Sequence, residues 1–198
     1  MKKLIEGSIL FVSGLLIIAG CNDNSSSSTT VTDTSTLVKL EDSAKMGTQK
    51  INTGEVAAMQ NDFVNKAAMG GMMEVELGRY AQANAGSQGV KDYGKMLETD
   101  HSEANQQLKS IAASKNISVP TDMGEEHNMH VKQMESMKGA DFDKAYITMM
   151  VEDHVKDIEE FKKAAAENSD PDVRKFAADK LPTLQGHLAK AKLLKSKF

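Results

Sequence analysis

The chain of 198 residues has no tryptophan, a single cysteine, three prolines and an aromatic content of 5%. One cysteine excludes any intramolecular disulfide. Scarce proline and aromatics, together with 13 methionines, argue against an all-β core and for helices packed with Leu, Ala and Met. A basic excess is also missing. The formal charge is −4, with no concentration of Lys or Arg, so nucleic acid is not an expected partner. After the N-terminus no apolar run approaches the roughly 20 residues that a membrane-spanning helix needs.

The N-terminus carries the one apolar run, and it is short. Lys2 and Lys3 precede Ile9 to Ile18, and the segment closes on Ile17-Ile18-Ala19-Gly20-Cys21. A positive start, a brief apolar stretch and small residues before a cysteine describe an export signal over residues 1–20. The ending resembles a bacterial lipobox. That resemblance implies cleavage before Cys21 and lipidation of its thiol, with acylation of the new N-terminus. Multiple acyl chains hold a protein stably on a membrane where a single chain is marginal. Residues 21–58 then read as lipidated Cys21 and a Ser/Thr-rich flexible tether. The expected location is the cell envelope, on a lipid anchor, with outer membrane or periplasm as the compartment in a Gram-negative cell. The membrane is the expected partner, through Cys21.

Residues 59–198 have helical periodicity. A first helix is expected from about Asp62 to Ala85, capped by Asn61, with Phe63, Ala67, Gly70, Glu74, Leu77 and Ala81 on one face. A second runs from about Ser87 to Lys115, with the stripe Val90, Tyr93, Leu97, His101, Ala104, Leu108. Asn116 to Asp122 form a loop around Pro120. A short helix follows from about Met123 to Lys138, ending at Gly139. Its face of Met123, His127, His130, Met134 and Met137 suits either packing or a soft copper site. The next long helix spans about Phe142 to Asn168 with Asp141 as its cap, and places His154 on the stripe of Ile147, Met150 and Ile158. The last begins at Asp170-Pro171, a cap followed by proline at the first helical position, and carries Leu184 and His187.

These elements predict an all-α fold: a four-helix bundle of ferritin-like topology, with a short extra helix in the long crossover between the second and third long helices. Glu74, His101, His154 and His187 each interrupt an apolar stripe. Measured from the two hairpin turns, paired positions differ in depth by three residues, about 4 to 5 Å at helical rise. All four therefore fall near the middle of the bundle.

The spaced residues resemble a known family. They are Phe63, Ala67-Ala68-Met69-Gly70-Gly71-Met72-Met73-Glu74-Val75-Glu76-Leu77-Gly78, Met96, Asp100-His101, His127, Gly139, Phe142-Asp143, Tyr146, Met150, Asp153-His154, Leu181-Pro182, Leu184 and His187-Leu188. Over about residues 60–194 the chain is similar to the bacterial domain-of-unknown-function 4142 family, whose members are regarded as ferritin-like and exported. The resemblance implies the fold and an envelope location, and no established activity. In the wider ferritin-like superfamily two helices each give a Glu and two give Glu-x-x-His to a di-metal site. Glu74 and Glu98-x-x-His101 fit that pattern, but Leu184-x-x-His187 lacks its acid. Three histidines and one Glu suit a single zinc, copper or iron ion better.

Two functions follow. In one, the chain is an envelope lipoprotein with a structural, adaptor or stress-related role, and the buried His/Glu cluster is a hydrogen-bonded network. In the other, it binds one transition-metal ion through Glu74, His101, His154 and His187, with Glu98, Asp100 and Asp153 as outer partners or alternative ligands. No nucleophile elbow, phosphate-binding glycine loop, His-Glu-x-x-His motif or second cysteine is present, so no catalytic residue is assigned and a conventional enzyme is not expected.

Overall fold

A computed structural model describes the backbone of residues 53–198 and the side chains from Asn61 onward. The signal segment, Cys21 and most of the expected tether lie outside the described residues. Five helices make up the described chain: α1 (Thr53–Asn84), α2 (Gln88–Ser114), α3 (Gly124–Glu135), α4 (Gly139–Glu167) and α5 (Pro171–Lys195). No strand occurs among the described residues; one isolated bridge joins Ala85 and Gly139. The described residues form an all-helical bundle.

α1 pairs with α2, and α4 with α5, as two hairpins. The hairpins meet along α2–α5 and α1–α4, while α3 lies against α1 and α4. The α1–α2 hairpin closes tightly because glycines face each other. A Cβ at Gly78 would sit 2.6 Å from the Gly94 carbonyl oxygen, and one at Gly94 would sit 2.7 Å from the Ala81 Cβ. No side chain fits there without moving the backbones apart.

Helix ends follow local chemistry. Ser87 caps α2 through its hydroxyl, which accepts from the Val90 N–H. α2 stops at a Schellman turn: Asn116 takes φ 56°, and the Ile117 and Asn116 amides donate to Ala112 and Ala113 oxygens. Asp170 accepts from the Asp172 and Val173 amides ahead of Pro171. Three boundaries differ from expectation. α1 starts at Thr53 rather than at Asp62, because Glu55, Ala57, Ala58 and Met59 favour helix and no proline intervenes. Residues 53–58 are thus helical. α3 ends at Glu135, and Gly139 opens α4 at φ 61° instead of ending α3. Asp141 lies in the first turn of α4, whose N-cap position is Lys138 without a side-chain bond.

Asp143 has a different task. It is buried, and its two oxygens accept the Gly86 and Ser87 amides at 2.8 and 2.7 Å. A carboxylate from α4 thereby satisfies two amides at the α1–α2 turn, where the α2 dipole favours negative charge.

The core is split. One apolar cluster gathers Met73, Leu77, Tyr93, Leu97, Phe142, Tyr146, Met150 and Leu194. The other gathers Phe63, Val64, Leu108, Ala112, Val173, Phe176 and Ala177. On α2, α4 and α5 the chain passes from one cluster to the other through a buried histidine, and on α1 Glu74 lies just inside the first cluster's edge. The methionines of the expected stripe take the packing role: Met134 of α3 is buried, and Met123 and Met137 at its ends lie against the first cluster, while Met129 is exposed. Replacing Asp143 by Ala leaves two buried amides unpaired. We expect a loss of about 2–4 kcal/mol in urea unfolding; a loss under about 0.5 kcal/mol would show that the contact is dispensable.

Candidate metal centre

Four buried polar side chains meet at the boundary between the two apolar clusters: Glu74, His101, His154 and His187. One comes from each long helix. Glu74 Oε2 lies 2.8 Å from His101 Nδ1, and Glu74 Oε1 lies 3.5 Å from His154 Nδ1. His154 Nδ1 is 3.0 Å from the Met150 carbonyl oxygen, one turn back in α4. His187 Nε2 is 2.8 Å from Asp100 Oδ2, and His154 Nε2 is 3.2 Å from His187 Nδ1. One nitrogen from each of the three imidazoles lies within 4.8 Å of one from each of the other two.

The protons can be placed from these distances. The Met150 oxygen only accepts, so His154 carries its hydrogen on Nδ1 and leaves Nε2 as a lone pair. Asp100 is best served by a donated Nε2–H from His187, which leaves His187 Nδ1 bare. Two lone pairs then face each other at 3.2 Å, a repulsive contact unless a proton or a cation lies between them. His101 Nε2 is buried and has no partner. The three nitrogens left without an acceptor are His101 Nε2, His154 Nε2 and His187 Nδ1.

Burial dominates the electrostatics. It holds His101 and His154 down to about 4, and lowers His187 against the raising effect of its bond to Asp100. Burial raises Glu74 to about 7. The rings are therefore neutral near pH 7, the form that ligates metals. Glu74 and His101 share one proton across their 2.8 Å contact; loss of the carboxyl proton leaves the carboxylate accepting Nδ1–H and frees Nε2.

Of the expected outer residues, Asp100 reaches the cluster. Glu98 does not: it accepts from Arg79 and Gln82 at the surface, each at 2.8 Å. Asp153 is half-buried, makes no hydrogen bond or ion pair with the rings among the described contacts, and has one buried oxygen without a partner. His127 and His130 join no metal-competent group among the described residues.

Sequence reasoning missed Asp157, which forms a second candidate group with Glu74 and His154. Its carboxyl is pushed well above the usual range by burial and by Glu74. The spacing of one turn from His154 was the available sign. It also missed the buried, unpartnered hydroxyls of Tyr93 and Tyr146. Both stand eight residues ahead of a site histidine, 93 before 101 and 146 before 154, on the same helical face two turns away. Burial raises both phenols.

The model of the family described as Domain of unknown function (DUF4142) matches residues 40–194. The chain belongs to this family. Neither the curated proteins nor the solved structures contain a match. Family membership therefore brings no assigned chemistry, and the cluster must be read from its own geometry.

With the histidines depressed from 6.5, the unfolded chain binds more protons than the fold between about pH 4 and 6.5, so stability falls as pH drops through that window. Glu74, Asp157 and Asp153, all raised by burial, act oppositely and lose their contribution as pH rises, so the histidine share must be read from the rings themselves. In chelator, ring-carbon NMR shifts should show His101 and His154 still neutral at pH 5.5. Rings that are charged at that pH would contradict neutral buried imidazoles.

Proposed function

We propose that this DUF4142 domain binds one transition-metal ion through His101 Nε2, His154 Nε2 and His187 Nδ1. The observation that carries the reading is the disposition of the other ring nitrogens. Each is tied to an acceptor: Glu74, the Met150 carbonyl and Asp100. Metal-bound histidines are oriented in this way, with the second nitrogen held by a carboxylate or backbone oxygen. Common ligation at about 2.0–2.1 Å per bond places ring nitrogens about 3–4 Å apart; the 3.2 Å separation of His154 and His187 suits that. An all-nitrogen set with a nearby carboxylate suits zinc, copper or iron(II). The ion would supply positive charge and a Lewis-acid centre, while Glu74 and Asp100 hold the rings.

The network reading also has support. A proton between His154 and His187 turns their 3.2 Å contact into a hydrogen bond. It leaves His101 Nε2 without a partner in a buried site, at a cost of about 1–3 kcal/mol. The metal reading accounts for all three nitrogens.

The surrounding protein is read as a ferritin-like four-helix bundle. Support comes from the two hairpins and the helix-bearing connection between them. The same reading places the domain in the cell envelope, on lipidated Cys21, as the Ala19-Gly20-Cys21 sequence suggests.

Two outcomes follow. Purified untagged domain should carry close to one metal equivalent. Chelator should lower its melting temperature by about 5–10 °C, as for a ligand at roughly 100 times its dissociation constant, and His101→Ala/His154→Ala/His187→Ala should abolish both effects. A stoichiometry well below one that the triple variant leaves unchanged would overturn the metal site. Separately, full-length protein should incorporate labelled palmitate and fractionate with membranes. Cys21→Ser should lose the label; persistence of the label would refute lipidation at that residue.

A further inference from the structure

A cavity of about 160 Å³ adjoins the cluster, and His101 and His187 form part of its wall. Its makeup is two-sided. Leu108, Phe161 and Phe176 give an apolar surface, and the histidine wall lies with Lys180 and several acids. The space is kept free on the α1 side, where a Cβ at Gly70 would meet nothing within 4 Å. A void of about 150 Å³ accommodates a benzene-sized molecule, so this one takes about six non-hydrogen atoms.

The charges of the wall are mostly engaged. Glu74 bonds His101, Asp100 bonds His187, and Glu103 at the exposed edge accepts from Gln107. Asp157 makes no hydrogen bond or ion pair among the described contacts, and burial pushes its carboxyl well above the usual range, which reduces the negative charge it brings to the wall; Lys66 pairs with Asp62. Lys180 is different. Among the described residues no carboxylate lies within ion-pair distance of its Nζ, which sits 6.0 Å from the centroid of the Phe176 ring. A partly buried lysine with no carboxylate in ion-pair range, beside an apolar wall, fits an anion with a hydrocarbon tail.

We propose that this cavity binds a small monocarboxylate of about six non-hydrogen atoms, with its carboxylate toward Lys180 and the histidine wall and its alkyl chain against Leu108, Phe161 and Phe176. The inference rests on the metal reading, because a cation held by the three rings supplies the rest of the positive charge on that wall.

Cobalt(II)-loaded domain provides the test, with butyrate as the probe and butyramide as its uncharged counterpart. Butyrate should shift the visible cobalt spectrum saturably in the millimolar range, and butyramide should bind at least tenfold more weakly. Lys180→Gln should weaken butyrate about tenfold. Gly70→Leu, which fills the space from α1, should abolish the shift. Both variants should keep one cobalt equivalent and a cooperative melt. Failure to load cobalt would overturn the metal reading and this inference with it. Stoichiometric cobalt with a spectrum unmoved by about 50 mM butyrate would overturn this inference alone. An undiminished shift in Gly70→Leu would do the same, because the anion would then be reaching the ion outside the cavity.

Discussion

Taking three imidazoles and a carboxyl out of water is costly, and the middle of this bundle is arranged around offsetting that cost. Glu74 supplies the first compensation through His101, Asp100 the second through His187, and the Met150 carbonyl the third through His154. Each bond joins a ring to a different acceptor, so no single contact satisfies the layer. The two apolar clusters flank this layer and fix the helices. They also make every unpaired polar atom between them expensive. Inside this layer the inward nitrogens become a chemical feature rather than a packing defect.

Much of this was legible in the sequence, for a reason that differs between elements. The four long helices announce themselves because their apolar residues recur at three and four, and Ser87 and Asp170 are strong caps with short side chains. The histidines stood out because each broke such a stripe. Depth was legible because both hairpin turns are short, which ties position along one helix to position along its neighbour. Asp100 was visible as a neighbour of His101, but its partner, His187, lies 87 residues away and comes only with the fold.

Other features were hidden. Glu98 satisfied a spacing rule, yet Arg79 and Gln82 draw it to the surface; spacing cannot register a competing partner on another helix. Asp143 gave no sign of its role, because its two donors belong to a turn more than fifty residues earlier. The start of α1 was misplaced because a Ser/Thr-rich composition upstream blurred the onset of helix-favouring residues at Glu55. Asp157 was overlooked because acids on a solvated helix face are ordinary, and only burial distinguishes it.

Both hairpins contribute to the cluster. α1 and α2, locked by Gly78 and Gly94, bring Glu74, Asp100 and His101; α4 and α5 bring His154 and His187. The Asp100–His187 bond and the approach of Glu74 to His154 both cross the seam. The cluster therefore acts as a rivet between the two hairpins: neither hairpin holds all of it, and slippage of one against the other parts its members.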